Sequence, residues 1–294
     1  MLSLHTNNAS LSAQNSIAKT QASLSTSMTR LSTGFRINSA MDDAAGLQIA
    51  TRLKAQTSGM TVAMNNTQNS TSLLQTAMGA FGEVTNMLVR MKDLATQAAD
   101  ASSSADDKTA MQSEFDALGL ELKNVMKNTS FGGTTLLGDG ATATSGTLSS
   151  AMTFQIGASS TETMSLNATT NLAALNTALN SASANFAATG AATAGAELTA
   201  TGGATTAIAN LTTAISAVGT VNSQLGAAAN RLDHINNNLS NISTNTKAAT
   251  GRIMDTDYAT ESSNMTSSQM LLQAGTAMLK QSNSMSQMVM SLLQ

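Results

Sequence analysis

Positions alternately three and four apart from Leu211 read Leu211, Ala214, Val218, Val221, Leu225, Ala228, Leu232, Ile235, Leu239, Ile242, Thr246, Ala249 and Ile253. Only Thr246 among them is polar. An a/d seam sustained over about six heptads predicts a coiled-coil helix, roughly 65 Å long at ~1.5 Å per residue. Such a rod cannot bury its own seam and needs partner helices. The N-terminal half offers two. Leu74, Met78, Phe81, Leu88, Met91 and Ala95 keep to one side of a helix, as do Met111, Phe115, Leu118, Leu122 and Val125. Ser39-Ala40-Met41-Asp42 predicts a capping box opening the first of them. Residues 100–107 (DASSSADD) separate the two and hold N-cap candidates for the second.

The two ends repeat the pattern more thinly. Ile17, Leu24, Met28, Leu31 and Phe35 form one apolar face near the start. Near the finish Leu271, Met278, Met285 and Leu292 recur every seven residues, beside Met265, Leu272, Leu279 and Leu293. Ordering a residue costs about 1–2 kcal/mol of backbone entropy, and burying a Leu returns about 1.5–3 kcal/mol. With Ser, Thr, Asn and Gln filling the gaps, both ends are expected to be disordered in a free monomer and to fold when copies associate. In the middle, Phe131 to Gly140 is dense in turn residues. Phe154-Gln155-Ile156-Gly157 and Thr163-Met164-Ser165-Leu166 suit two short strands joined through residues 158–162. Residues 167–205 are rich in Ala, Thr, Gly and Asn, with helical hints at Leu172, Leu175 and Leu179. They are expected to be a short, exposed, variable insertion.

Composition sharpens this. The chain of 294 residues has 2% aromatic residues, no Trp, one Tyr, 19 Met, no Pro and no Cys. A core of Leu, Ile, Ala and Met suits thin helix–helix seams, and a lack of Pro leaves long helices unbroken. Without Cys there is no disulfide framework, thiolate metal site or cysteine nucleophile. The net charge of −3 gives no argument for nucleic acid or an acidic membrane surface. Its distribution says more. Residues 1–29 carry only Lys19, residues 262–294 carry only Lys280, and residues 128–230 have no Lys or Arg. Solvated helical faces generally use Lys and Glu for solubility, so uncharged amphipathic ends imply something that covers them. The start has neither a basic region nor a continuous apolar stretch, so no cleaved secretory signal is read there. No run of 18 apolar residues is present either.

Little chemistry is on offer. His5 lies in a terminal segment, and His234 falls between seam residues beside Arg231 and Asp233, with no second ligand cluster. Asp255-Thr256-Asp257-Tyr258-Ala259-Thr260-Glu261 lacks the Gly and distal ligands of a calcium loop, and reads as the start of a helix with acidic residues at its dipole. Gly133 to Gly138 has the spacing of half a phosphate loop, but Asp139-Gly140 stands where Lys-Ser/Thr is required. No nucleophile elbow and no convergent carboxylate pair is visible. The sequence therefore predicts a structural subunit, with no enzyme activity, cofactor or metal.

Leu31-Ser32-Thr33-Gly34-Phe35-Arg36-Ile37-Asn38-Ser39-Ala40-Met41-Asp42-Asp43-Ala44-Ala45-Gly46-Leu47-Gln48-Ile49-Ala50 resembles the N-terminal signature of bacterial flagellins. Asp257-Tyr258-Ala259-Thr260-Glu261-Ser262-Ser263-Asn264-Met265, with Gln273-Ala274-Gly275 and Ser291-Leu292-Leu293, resembles their C-terminal one. The opening Leu2-Ser3-Leu4-His5-Thr6-Asn7 resembles lateral, swarming-type flagellins, and Ser286 departs from a Pro common in the family. The likeness covers about 1–165 and 205–294. It implies a mainly α fold: a long antiparallel helical bundle or coiled coil built from both chain ends, with a small β-hairpin region. Its expected domains are an inner terminal-helix layer (1–40 plus 255–294), a helical bundle with the hairpin (41–166 plus 206–254), and the 167–205 insertion, without large outer domains.

The resemblance also implies a filament homopolymer, secreted through the flagellum-specific channel and extracellular. Its expected partners are an export chaperone at the C-terminal segment and hook-associated and cap proteins, with no nucleic acid or membrane. Terminal assembly falls to Ile17, Leu24, Leu31, Met278, Met285, Leu292 and Leu293. Animal flagellin receptors of the Toll-like type recognise a helix that here reads Leu88-Val89-Arg90-Met91-Lys92-Asp93-Leu94-Ala95. Leu88, Arg90, Leu94, Glu114, Leu211 and Ile215 are the implied contacts, with Lys92 and Asp93 replacing Arg and Glu. Leu292-Leu293 resembles the part sensed by intracellular flagellin receptors. Two other readings stay open: a hook–filament junction protein, which shares the terminal-helix plan, and a cytoplasmic coiled-coil scaffold.

Overall fold

The computed structural model describes residues 7–138, 145–186 and 195–292, with side chains through 285. Six helices follow in chain order: α1 Asn8–Thr33, α2 Ala44–Ala99, α3 Ala105–Asn128, α4 Thr169–Ala182, α5 Gly203–Met254 and α6 Tyr258–Leu292. Two small antiparallel hairpins lie between α3 and α4. They are β1 Ser130–Phe131 with β2 Thr134–Thr135, and β3 Met152–Gln155 with β4 Thr163–Leu166. The chain divides into two compact units, Met1–Thr57 with Thr244–Gln294, and Ser58–Ser243. The mainly α fold with a small hairpin region is as the sequence predicts.

The unit Ser58–Ser243 holds the hydrophobic core. Leu74, Phe81, Leu88 and Met91 of α2 are fully buried with Phe115, Leu122 and Met126 of α3 and the seam of α5 from Leu211 to Leu232. A second, smaller cluster joins Met60 and Ala63 of α2 to Leu239 of α5, and Asn236 Nδ2 donates to the Met64 carbonyl beside it at 3.4 Å. The seam follows its heptads as far as Leu239. There it slips: Ile242 is 39% exposed and Ser243, one residue on, is 4% exposed. A straight α-helix turns 3.6 residues per cycle and drifts ~20° per heptad off a 3.5-residue row, so the buried stripe moves to the next position. By length and apolar composition α5 could cross a membrane, but its apolar row is committed to this core.

Capping follows local chemistry. Ser104 and Asp107 form a reciprocal capping box on α3: the Asp107 N–H donates to Ser104 Oγ, and the Ser104 N–H donates to Asp107 Oδ2, both at 3.1 Å. The capping box expected to open α2 at 39–42 does not form: Ser39 Oγ accepts from the Met41 N–H, and the Asp42 N–H donates to the Ser39 carbonyl. Asp42 Oδ2 accepts from the Ser39 and Asn38 N–H groups at 2.9 and 3.1 Å, which closes a turn. The cap of α2 is Asp43, whose Oδ1 accepts from the Gly46 N–H at 2.8 Å. In the β1–β2 hairpin Gly132 and Gly133 both have positive φ, 59° and 84°. A two-residue loop with both residues left-handed is the type I′ turn that matches strand twist, so this glycine pair makes the hairpin where the sequence shows only turn residues.

The expected exposed insertion is corrected at both its ends, since Leu198 and Ala204 are buried as well as the helix that opens it. Leu172, Leu175, Leu179 and Ala182 of α4, with Phe186, are buried in the main core. The spacing that hinted at a short helix is a core-facing stripe. Behind it the chain is clasped to α3. Buried Gln112 donates through Nε2 to Asp116 Oδ1 (2.9 Å) and Glu197 Oε2 (2.7 Å), and its Oε1 accepts from the Leu198 N–H (2.6 Å). Asn185 Nδ2 donates to Asp116 Oδ1 at 2.9 Å, and the Ala184 N–H to Glu197 Oε1 at 3.0 Å.

Candidate assembly interface

In the unit Met1–Thr57 with Thr244–Gln294, α1 packs along α6. Two connectors align the pair. Gly34 closes α1 in the left-handed conformation, φ 77°, with its N–H on the Arg30 carbonyl. Residues 34–36 then run antiparallel to 254–256. The Arg36 N–H donates to the Met254 carbonyl (2.6 Å), the Thr256 N–H to the Gly34 carbonyl (3.0 Å), and Arg36 Nη2 to the Ile253 carbonyl (2.9 Å). Asp257 caps α6: its carboxylate accepts from the Ala259 N–H (3.0 Å) and the Thr260 hydroxyl (2.7 Å). The Thr260 hydroxyl, with the Ala259 N–H behind it, holds the Asp257 carboxyl below its ordinary range. The 255–261 run is thus a helix start, as its sequence indicates.

The contact itself is thin. Ile17, Leu24 and Leu31 of α1 are half-buried, as are Met265, Leu272 and Leu279 of α6. Gly275 lets Ile17 nest: a Cβ placed there would stand 2.9 Å from Ile17 Cγ1. Near the ends Asn7 Nδ2 donates to Ser282 Oγ (3.2 Å) and Ser10 Oγ to Asn283 Oδ1 (3.3 Å). Arg30 faces the buried carboxylate of Glu261 at 3.7 Å. Between them runs a polar groove of about 370 Å³ lined by Ser23, Thr26, Ser27, Arg30, Glu261, Asn264, Ser267 and Ser268. Among the described residues of this unit, only Ile37 and Ala50 are fully buried apolar side chains.

The two apolar rows of α6 part company. Met265, Leu272 and Leu279 turn toward α1. Leu271, Met278 and Met285 stay out, 61%, 66% and 58% exposed, with Met270 beside them. Of the expected assembly residues, Ile17, Leu24 and Leu31 therefore lie on the α1 side of the pair, and Met278 and Met285 on the outer row. The Leu292 side chain and Leu293 lie outside the described residues, as do His5, Asp139 and the 1–6 segment that carries the lateral-type resemblance.

The expected receptor residues do not form one surface. Leu88 and Leu211 are 0% exposed and Leu94 3%, so these three are core residues with no area to offer a partner. This corrects their assignment. The resemblance alone groups them with Arg90; Leu88 and Leu94 of α2 and Leu211 of α5 line the core. Arg90 and Glu114 remain outside, paired through Nε and Nη2 to one carboxylate oxygen at 2.8 and 2.7 Å, and Ile215 is half-buried. A second correction concerns carboxylates. Asp116 and Glu197 do converge, 81 residues apart in sequence, on the Gln112 amide. Burial raises the Asp116 carboxyl, opposed by the Gln112 hydrogen bond and reinforced by Glu197. Their oxygens are engaged by amide donors, which is the arrangement of a clasp. His234 is exposed, and no group of three or more metal-binding side chains occurs among the described residues.

Helices from the two chain ends that pair with each other, one of them with an open apolar row, and a well-packed helical bundle make up the fold. Family descriptions agree. "Bacterial flagellin N-terminal helical region" matches residues 4–142 and "Bacterial flagellin C-terminal helical region" matches residues 208–293, so the chain belongs to the bacterial flagellin family. Polar flagellin F of Vibrio parahaemolyticus is 47% identical over 165 residues, 56% of this chain and 42% of its own length. Flagellin A of Vibrio cholerae is 47% identical over 161 residues, 55% and 40% of the two chains. B-type flagellin of Pseudomonas aeruginosa is 45% identical over 165 residues, 56% and 32%. The chain thus covers less than half the length of these relatives. The crystal structure of Bacillus cereus flagellin is 31% identical and covers 63% of this chain and 94% of its own, with a TM-score of 0.49.

Proposed function

We propose that this chain is the repeating structural subunit of a bacterial flagellar filament serving swimming or swarming. The observation that carries the reading is the outer row of α6. Leu271, Met278 and Met285 are exposed apolar side chains on a helix whose other row is already paired, in a chain of the flagellin family. Burying such a row against further copies returns about 1.5–3 kcal/mol per side chain, which the thin α1–α6 contact does not supply. The ends therefore order fully on docking, residues 1–40 plus 255–294 forming the inner layer and 41–166 plus 206–254 the surrounding bundle. Subunits leave the cell by the flagellum-specific channel and end in the extracellular filament. An export chaperone holds the C-terminal segment in transit, and hook-associated and cap proteins bound the polymer. The chain has no catalytic role in this reading.

Limited proteolysis of monomer and polymer, with electron microscopy of the polymer, tests this. Cleavage near both ends in the monomer, with protection in filaments, is expected. Ends resistant in the monomer would favour a cytoplasmic coiled-coil scaffold, and failure to elongate would favour a hook–filament junction protein. Recognition by a Toll-like flagellin receptor reduces, in this fold, to Arg90, Glu114 and the edge of Ile215. Arg90→Ala should weaken receptor binding while leaving monomer stability within about 1 kcal/mol, the usual worth of an exposed ion pair.

A further inference from the structure

With 19 Met and no Cys, thioethers are the only sulfur groups in the chain. Their exposure is uneven. Met60, Met91, Met126 and Met164 are buried in the unit Ser58–Ser243, whereas Met270, Met278 and Met285 of α6 are each more than half exposed. Met278 and Met285 stand seven residues apart on the row that begins at Leu271, and Met270 flanks it. Oxidation of methionine follows exposure, and it turns a flexible apolar side chain into a polar one. We infer that these three thioethers are oxidation sites that control assembly. A peroxide-class oxidant converts them to sulfoxides in the free subunit and blocks docking, while a docked subunit is shielded.

The chemistry balances. The sulfur lone pair attacks one peroxide oxygen, the O–O bond breaks as the S–O bond forms, and the departing hydroxide takes up the peroxide proton as water. Sulfur loses two electrons and the peroxide gains them. A sulfoxide oxygen buried in an apolar seam lacks the water it bonded in the free subunit, so the docked state loses most. The inference rests on the reading that further copies cover this row.

The test treats purified monomer with hydrogen peroxide, maps sulfoxides by peptide mass spectrometry, and measures the critical concentration for polymerisation by sedimentation. Expected are sulfoxides at Met270, Met278 and Met285 with Met91, Met126 and Met164 spared. The critical concentration should rise about tenfold or more, the equivalent of one lost apolar side chain. Methionine sulfoxide reductase should restore it. Met28 and Met41 are also exposed, so the variant Met270→Leu/Met278→Leu/Met285→Leu separates them: peroxide should leave its critical concentration unchanged. An unchanged critical concentration for oxidised wild type, or equal loss in the triple variant, overturns the inference. Reductase reversal reads the same point without any variant. The underlying reading fails differently. Equal oxidation of the three sites in filaments and monomer would show the row uncovered, whereas protection in filaments with normal assembly of oxidised monomer defeats only the control proposed here.

Discussion

Replacing Gln112 by Ala removes one side chain that answers three groups at once. Its Nε2 holds Asp116 and Glu197 at 2.9 and 2.7 Å, and its Oε1 holds the Leu198 N–H at 2.6 Å. A hydrogen bond to a charged group nets about 1.5–3 kcal/mol, and a buried N–H left without an acceptor costs about 1–3 kcal/mol. Water can replace part of the carboxylate contacts, because Asp116 and Glu197 are half-buried, but Leu198 is fully buried. The sum is about 3 kcal/mol. At a urea slope of about 2 kcal/mol per molar, the unfolding midpoint followed by far-UV circular dichroism falls by roughly 1.5 M.

The pH dependence gives an independent check on Gln112→Ala. Burial, with Glu197 adding to it, raises the folded-state pKa of Asp116, and the Gln112 amide pulls it down. For an acid with a raised pKa the penalty is fully present above the folded pKa and disappears below the unfolded one, near ~3.9. Removing the amide raises that pKa further. The deficit of Gln112→Ala should be largest near neutral pH and shrink as pH falls through the Asp116 titration. A loss under about 1 kcal/mol, or one that is flat between about pH 7 and pH 4, would refute the clasp.

Three further outcomes follow from the same contacts. Asn176 is 4% exposed, and among the described residues neither of its amide atoms finds a partner, so Asn176→Leu should stabilise by about 1–2 kcal/mol in a urea titration. The Ser104 hydroxyl and N–H hold the Asp107 carboxyl below its ordinary pKa. That contribution is present above the unfolded pKa and lost as pH falls through the folded one, so in an NMR titration Ser104→Ala should move the Asp107 midpoint up. Gly275→Val puts a branched side chain where a Cβ already stands 2.9 Å from Ile17 Cγ1. It should impair polymerisation without changing bundle stability, and adding Ile17→Ala should recover much of the loss. Equal impairment in the double variant would deny the contact.

What the sequence reveals tracks how local the cause is. The α5 seam from Leu211 to Leu239, the helix break within 100–107 and the strand at 163–166 are written in adjacent residues, and the fold follows them. The slip from Ile242 to Ser243 is the mismatch between 3.5 and 3.6 residues per turn, which a fixed heptad count hides. The Gln112 clasp was illegible because Glu197 lies 85 residues away and nothing local marks Gln112 as buried. Leu88, Leu94 and Leu211 went astray for the opposite reason. A resemblance aligns residues but carries no account of which side of the helix faces inward.

The terminal rows show why composition helped where periodicity was weak. Two apolar rows on α6 cannot both meet α1, and the sequence does not say which does; Met265, Leu272 and Leu279 win, beside Gly275. Scarcity of charge at both ends is what supports a proposed cover for the other row. A charged helix face pays a large desolvation penalty when covered. The Thr20, Thr26, Thr29 and Thr33 hydroxyls of α1 donate to carbonyls four residues back, at 2.9 to 3.1 Å. Hydroxyls satisfied within their own helix leave no stranded donor when a neighbour arrives, and they remain polar enough for a helix still in water. A surface built this way suits a segment that meets water first and protein later, as the proposed docking of the apolar row requires.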